Sequence, residues 1–339
     1  MKTVIATSLL AGIQLAAAHS GVWNLDIDGN NYPARDTRLD GKLGAKRIEW
    51  SFSDSGVPWA PIPNVNNAGM ACGANPGPPA LKAVARAGAP MTVQWSGIVR
   101  THLGPTITWL APYTPGISAN ALQFFKIHEI GYDTKQKLWA NEILIKNDRK
   151  NTFKLPSDLK PGMYTLRTEL VALHYSSTQG PQVYPHCFNI YINGTGTATP
   201  SGVKFPGGYA AREPGFVTNL FDKSGKPLNW EKYVVPGPPV YAGKYDAPTG
   251  PAPVVSEKDR GIFPAAFQAK YEAFKKKEDD EGLYFNDKIN KGQESIGHNQ
   301  VKGEGNIQPA FTEHFANQRK LEAELAALRR EAQQLGIAT

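Results

Sequence analysis

The chain contains a succession of short apolar runs separated by turn residues, and this pattern most limits the folds available to it. From Trp23 to Asp28 apolar and polar residues alternate, as in a half-buried strand, and a Gly-Asn-Asn turn follows. Further runs occur at residues 91–95, 106–110, 124–130, 139–145, 152–155, 163–173 and 188–192. Such a series predicts an all-β fold, an immunoglobulin/fibronectin-like antiparallel β-sandwich with long loops.

The pattern of short strands ends near residue 200. Residues 201–255 are rich in proline, glycine and tyrosine, which predicts a segment that wraps the sandwich and continues as a linker. We expect a C-terminal extension that is partly disordered, over residues 241–310, and partly helical, over 311–336. The helix is predicted from a short heptad seam at Leu321, Leu325, Leu328, Ala332 and Leu335. Packing on the body is an alternative, but we favour a marginal or weakly self-associating helix.

Residues 1–18 have the features of a secretory signal peptide. Lys2 precedes an apolar segment, and Ala16–Ala18 form an A-x-A cleavage site. Cleavage there makes His19 the N-terminal residue. Its α-amine and its ring Nδ1 can then chelate one metal ion, although a histidine at this position by chance is an equally good explanation on its own.

A secreted chain whose only cysteines are Cys72 and Cys187 is expected to join them in a disulfide. In the chain-entropy model this bond stabilises the fold by ~4–5 kcal/mol. The sequon at Asn193 predicts N-glycosylation, consistent with secretion.

The sequence lacks the residues that several classes of function require. The 37 basic and 30 acidic side chains include no basic patch interleaved with aromatics, so no nucleic-acid partner is predicted, nor is a membrane partner. The chain has no HExxH or GxSxG motif. No pair of carboxylates is marked as the acid and base of a glycosidase. Hydrolysis is therefore disfavoured.

Three stretches contain residues that suit metal chemistry. His102 precedes a predicted strand, and His174 ends the longest one. Gln182 and Tyr184 lie two residues apart in a strand, so both point to one face. With His19, two histidines supplying three nitrogens and a phenol at longer range suit Cu(II), and they suit zinc less well. We assign no role to the remaining histidines of interest, His128, His186, His298 and His314.

In order and spacing, these residues resemble the fungal lytic polysaccharide monooxygenases of auxiliary activity family 9, formerly glycoside hydrolase family 61. The resemblance covers roughly residues 19–240. It rests on His19, Ala71-Cys72, Ala87-Gly88, Trp95, His102-x-Gly-Pro105, Leu173-His174 and Gln182-x-Tyr184-Pro-x-Cys187.

The resemblance implies a copper-binding histidine brace. His19 would bind one copper ion through its amine and Nδ1, His102 would bind it through Nε2, and Tyr184 would be the axial ligand. His174 and Gln182 would donate hydrogen bonds to the oxygen co-substrate. For stacking on sugar rings the candidates are Tyr32 and Tyr209, with an anchoring role in their loops as the alternative.

The expected function is secreted, copper-dependent oxidative cleavage of a β-1,4-glucan, with cellulose as the first candidate and hemicellulose as the second. The attack would fall on C1, C4 or both. It would use O2 or H2O2 and an external electron donor, either a small reductant or a redox protein. We expect a monomer. The alternative is a secreted, non-catalytic copper-binding or surface-interaction protein with the same brace.

Overall fold

Two sheets face each other in the computed structural model, which describes residues 20–37, 40, 45–53, 59–62, 64–98, 100–210, 212–216, 219–294 and 304–337. The strands are β1 (Gly21–Ile27), β2 (Asn30–Pro33), β3 (Ala83–Arg86), β4 (Pro90–Ser96), β5 (Thr106–Pro112), β6 (Phe125–Ile130), β7 (Tyr132–Asp133), β8 (Leu138–Trp139), β9 (Lys150–Lys154), β10 (Gly162–Ala172) and β11 (Gln182–Asn193). The α-helices bounded within the described residues are α1 (Ala140–Lys146), α2 (Glu257–Arg260), α3 (Ala265–Glu294) and α4 (Glu304–Gln334).

One sheet has the strand order β2-β1-β4-β9 and the other β3-β11-β10-β5-β6. Pairing is antiparallel except between β3 and β11. Alternate side chains of both sheets, such as Leu25, Val93, Leu166 and Phe188, are buried between them. The predicted antiparallel β-sandwich is confirmed.

The loops cover a second buried cluster on the outer side of the five-stranded sheet, around Trp50, Trp109 and Phe205. Cys72 and Cys187 form a disulfide within this cluster, with their Cα atoms 5.3 Å apart. The bond therefore ties a long loop to β11, as predicted from the cysteine count.

One predicted strand is wrong. Residues 139–145 were expected to be extended, but Ala140–Lys146 form α1. The buried residues Ala140, Ile143 and Leu144 fall on one side of a helix. The backbone N–H of Trp139 donates to Glu142 Oε2 at 2.8 Å, which satisfies a donor at the start of the helix.

The C-terminal region also differs from the prediction. Ala265–Glu294 form α3 where a linker was expected, and α4 begins at Glu304 rather than at residue 311. The two helices pack against each other through Phe267, Tyr271, Phe274, Leu321, Leu325, Leu328 and Ala332. Four of the five seam residues are thus buried within this helical hairpin, while Leu335 is exposed. The seam is used inside the chain, so the favoured interpretation of α4 as marginal or self-associating is corrected.

Among the residues described, neither α3, α4 nor any shorter helix combines the length and apolar character that a membrane span requires.

Candidate metal centre

The strand ends nearest His102 converge at one end of the sandwich. Ala172, the last residue of β10, pairs with Gln182, the first of β11. The N–H of Leu173 donates to the carbonyl of Leu103 at 2.9 Å, which holds the His102 segment beside the end of β10. Gly104 permits this approach because a Cβ there would overlap the carbonyl oxygen of Val171.

At this end the structure brings together four of the predicted site residues. The ring centroids of His102 and His174 are 4.3 Å apart, and those of His102 and Tyr184 are 6.4 Å apart. The Tyr184 hydroxyl donates to Gln182 Oε1 at 3.2 Å. His102 and Tyr184 are buried, whereas His174 and Gln182 are partly exposed. His102 and Tyr184 therefore lie beneath the surface, and His174 and Gln182 lie at its edge.

Burial keeps these groups uncharged. It lowers the pKa of His174 to about 4, so its imidazole is neutral at physiological pH. It also raises the pKa of Tyr184, so its phenol remains protonated. The buried His174 Nδ1 has no hydrogen-bond partner in the described part of the chain. A polar atom left in this state is costly unless a ligand satisfies it.

His19 and the predicted signal peptide lie outside the described residues. The chain that follows His19 enters the same end of the sandwich: Gly21 pairs with Ser96, and the Ser20 hydroxyl donates to the Gly97 carbonyl at 3.3 Å. The indole of Trp59 covers Gly21. Trp59 and Tyr184 also line one cavity of about 110 Å³. The start of β1 therefore leads to the site around Tyr184.

The described residues by themselves contain no group of three or more His, Cys, Asp or Glu able to hold a metal ion. His102 and Tyr184 are nevertheless donors of the type that Cu(II) accepts. A metal at this end of the sandwich would take its other ligands from a residue outside the described set, and His19 directly precedes the described Ser20.

The predicted sugar-stacking tyrosines are not surface residues. Tyr32 is fully buried, and its hydroxyl accepts from the N–H of Val84 at 3.2 Å. Tyr209 is 2% exposed and donates its hydroxyl hydrogen to Glu169. Neither ring has a face that a polysaccharide could reach, so this prediction is wrong and both residues anchor their segments to the core.

One aromatic residue that sequence reasoning did not select is better placed. Tyr175 is 43% exposed, and its ring centroid is 4.1 Å from that of His174. Its position directly after a predicted site histidine was the available signal. Exposure could not be read from the sequence because Tyr175 follows the end of β10, beyond the alternating pattern.

Three of the histidines without an assigned role have ordinary structural partners. His186 Nδ1 is 2.7 Å from Glu49 Oε1. His128 stacks on Phe153, with ring centroids 4.9 Å apart. His314 Nδ1 is 3.0 Å from Glu281 Oε1. His298 lies outside the described residues.

The model of Auxiliary Activity family 9 (formerly GH61) matches residues 19–230, which is more than half of the chain. The chain belongs to this family. The AA9 family lytic polysaccharide monooxygenase D of Geotrichum candidum is 34% identical over 250 residues, which cover 71% of this chain and 75% of that protein. Monooxygenase F of Malbranchea cinnamomea is 31% identical over 242 residues, covering 70% of this chain and 96% of that one.

Solved structures of AA9 proteins have the same fold. A glycoside hydrolase family 61 member from Hypocrea jecorina aligns with a TM-score of 0.60 and 29% identity, over 66% of this chain and 100% of that one. The extended catalytic domain of LPMO9A from the same organism aligns with a TM-score of 0.59 and 30% identity, over 70% and 100%. The AA9 match ends at residue 230, so α2, α3 and α4 lie beyond it.

Proposed function

We propose that this AA9 member is a secreted, copper-dependent monooxygenase that oxidatively cleaves a β-1,4-glucan, either cellulose or a hemicellulose, at C1, C4 or both. The observation that carries the proposal is the meeting of His102, His174, Gln182 and Tyr184 at the end of the sandwich where the chain emerges from His19.

In this proposal three residues would hold one copper ion. Removal of residues 1–18 would expose the amine of His19, which would bind copper together with its own Nδ1. His102 would bind through Nε2, since its Nδ1 lies 3.4 Å from the hydroxyl of Thr101. The phenol of Tyr184, which stays protonated, would be the third and weaker ligand. Bound copper would supply one-electron chemistry with O2 or H2O2, given electrons from a small reductant or a redox protein.

His174 and Gln182 act on the oxygen co-substrate. His174 is neutral and partly exposed, so it can exchange hydrogen bonds with a small molecule beside His102. Gln182 accepts the Tyr184 hydroxyl through Oε1, which leaves its amide N–H groups as donors. With O2, one oxygen atom enters a C–H bond of the sugar, while two electrons and two protons reduce the other to water. Pre-positioned donors favour the charge that develops on oxygen.

Tyr175 takes the role that Tyr32 and Tyr209 cannot fill. Its exposed ring stands beside His174, at the surface that a polysaccharide must reach to present C1 or C4. An aromatic ring can stack on the apolar face of a sugar.

Asn193 is exposed at the end of β11, where a secreted chain could be glycosylated. We further propose that the protein acts as a monomer.

The deciding experiment incubates copper-loaded protein with swollen cellulose and ascorbate, and then with a panel of hemicelluloses, and identifies the products by mass spectrometry. We expect oligosaccharides carrying one additional oxygen, absent without ascorbate and absent from a His102→Ala control. The position of the oxygen distinguishes C1 from C4. Native oligosaccharides alone would indicate a hydrolase. Bound copper without any product would favour the non-catalytic copper-binding alternative.

A further inference from the structure

The C-terminal hairpin, although it lies beyond the family match, contacts the first strand of the sandwich. Lys275 of α3 is 2% exposed. Its Nζ donates to the backbone carbonyl of Trp23 at 3.3 Å and lies 4.2 Å from the centroid of the Trp23 ring. A buried ammonium group is costly unless it is compensated, and here a carbonyl and an aromatic face provide that compensation.

The contact falls on an irregularity of β1. Val22 pairs with Trp95, but the next pair is Asn24 with Gln94, so Trp23 is an extra residue in the ladder. Such a β-bulge bends its strand and re-aims the residues next to it. The Trp23 carbonyl is held from two sides, by Lys275 and by the N–H of Ala34 at 3.2 Å. Trp23 lies four residues after His19.

On one side of Lys275, α3 is fixed by a buried polar group. The Tyr271 hydroxyl donates to Asp40 Oδ1 at 3.0 Å, and Arg47 Nη2 donates to the Tyr271 oxygen at 3.2 Å. Arg47 and Asp40 themselves form an ion pair at 2.8 Å, with both side chains buried. These contacts fix α3 one turn before Lys275.

On the other side, Asp279 forms an ion pair with Arg149. The carbonyl of Arg149 accepts the N–H of Trp95 at 3.0 Å, and Trp95 is the partner of Val22. Helix α3 thus contacts the bulge of β1 directly. It also contacts Arg149, whose carbonyl holds Trp95 of the neighbouring strand β4.

We propose that Lys275 is a positioning residue for the metal centre, because it fixes the bulge at Trp23 and thereby the direction in which Gly21 and Ser20 lead to His19. This inference rests on the proposed function for the role of His19. It gives the C-terminal helices a function in the catalytic unit.

The test compares Lys275→Met, which keeps most of the side-chain volume, with Lys277→Met on the exposed surface of the same helix. We expect Cu(II) affinity to fall about tenfold in Lys275→Met, the lower end of the effect of residues that orient metal ligands. The Cu(II) electron paramagnetic resonance spectrum should change, and amide exchange at Gly21–Trp23 of the metal-free protein should accelerate. Lys277→Met should match the parent protein in all three.

A purely structural effect is distinguished by Leu325→Ala, which loosens the hairpin core without removing Lys275. When each protein is measured at the same number of degrees below its own melting temperature, Leu325→Ala should have the same electron paramagnetic resonance spectrum as the parent protein. An unchanged affinity and spectrum in Lys275→Met, or the same spectral change in Leu325→Ala, overturns the inference. If the parent protein binds no copper, the proposed function fails. The positioning of β1 is then still tested by amide exchange, and an unchanged exchange rate at Gly21–Trp23 in Lys275→Met would overturn it as well.

Discussion

At the scale of single residues, burial decides the chemistry of the site more than residue type does. Several histidines have nearby partners, yet the buried Nδ1 of His174 has no hydrogen-bond partner in the part of the chain that the structure describes, and burial lowers the pKa of His174 to about 4. His186, by contrast, faces Glu49 and is explained by that contact. The two histidines therefore differ in what they can offer to a ligand, as their different assignments from the sequence predict.

The lowered pKa of His174 gives a prediction about pH. Between the ordinary value of 6.5 and the folded value of about 4, the unfolded chain binds a proton that the folded chain excludes. The neutral, buried His174 therefore contributes to the free energy of unfolding. We expect this contribution to be complete above pH 6.5 and to be lost as the pH falls towards 4. The melting temperature of the metal-free protein should drop over this window, and less steeply in His174→Gln. Identical pH profiles for the two proteins would contradict the prediction.

The proposed ligand residues give a second prediction. His102→Ala removes a strong nitrogen donor and should abolish Cu(II) binding measurable at micromolar concentration. Tyr184→Phe would remove only the weaker oxygen ligand of the proposed site and should leave copper bound with an altered electron paramagnetic resonance spectrum. Calorimetric titration and that spectrum check both. Tight binding retained in His102→Ala would argue against the proposed metal centre.

At the scale of secondary-structure elements, alternation of apolar and polar residues was sufficient for the strands that line the sandwich core, such as β1 and β4. It failed for β3, whose short Ala-Val-Ala-Arg segment has weak strand propensity and is held by its parallel pairing with β11. It also failed for α1, because Ile143 and Leu144 have similar apolar character in a strand and in a helix.

The hairpin could have been found in part. Phe267, Tyr271 and Phe274 have the i, i+4, i+7 spacing of a helix face, but the charged run after them resembles a disordered segment. The contact between Lys275 and Trp23 spans 252 residues of sequence, and no local pattern encodes it.

For the site, motif spacing selected four residues that converge. It could not give the exposure of Tyr32, Tyr209 or Tyr175, because burial of a ring depends on distant segments.

A third prediction concerns the turn before β5. In Gly104→Ala the new Cβ would overlap the carbonyl of Val171, a backbone atom that cannot move aside cheaply. We expect a loss of about 1–3 kcal/mol in the free energy of unfolding. Cu(II) affinity should also fall because His102 lies two residues away. Gly282→Ala in α3 is the matched control: it meets no atom within 4 Å and should leave affinity unchanged. Equal stability and affinity in Gly104→Ala would refute this role for the turn.

At the scale of the whole molecule, the sandwich and the hairpin form one packed body. Arg47 of the sandwich lies 5.0 Å from the Phe263 ring and hydrogen-bonds to Tyr271, and Ala45 packs against the hairpin core. The hairpin is thus built into the domain, in contrast to a module on a free linker. The disulfide ties a loop to β11 of the five-stranded sheet, whereas the hairpin contacts β1 of the four-stranded sheet through Lys275.

A chain ending after residue 256 should therefore be less stable than the full chain. It would lose the burial of Phe263 and Tyr271 and expose the Arg47–Asp40 pair. We expect a loss of about 3 kcal/mol or more, the contribution of burying one or two aromatic side chains. Urea unfolding followed by tryptophan fluorescence measures it. A truncated chain with the stability of the parent would show that the hairpin docks without contributing to the fold.

The contact between α3 and β1 also determines when β1 can reach its final structure during protein synthesis. Ribosomes make proteins from the amino end, so Trp23 leaves the ribosome long before Lys275, which follows it by 252 residues. Until Lys275 has been translated, the bulge at Trp23 lacks one of the two groups that hold its carbonyl. The first strand to be synthesised is consequently among the last to reach its final environment.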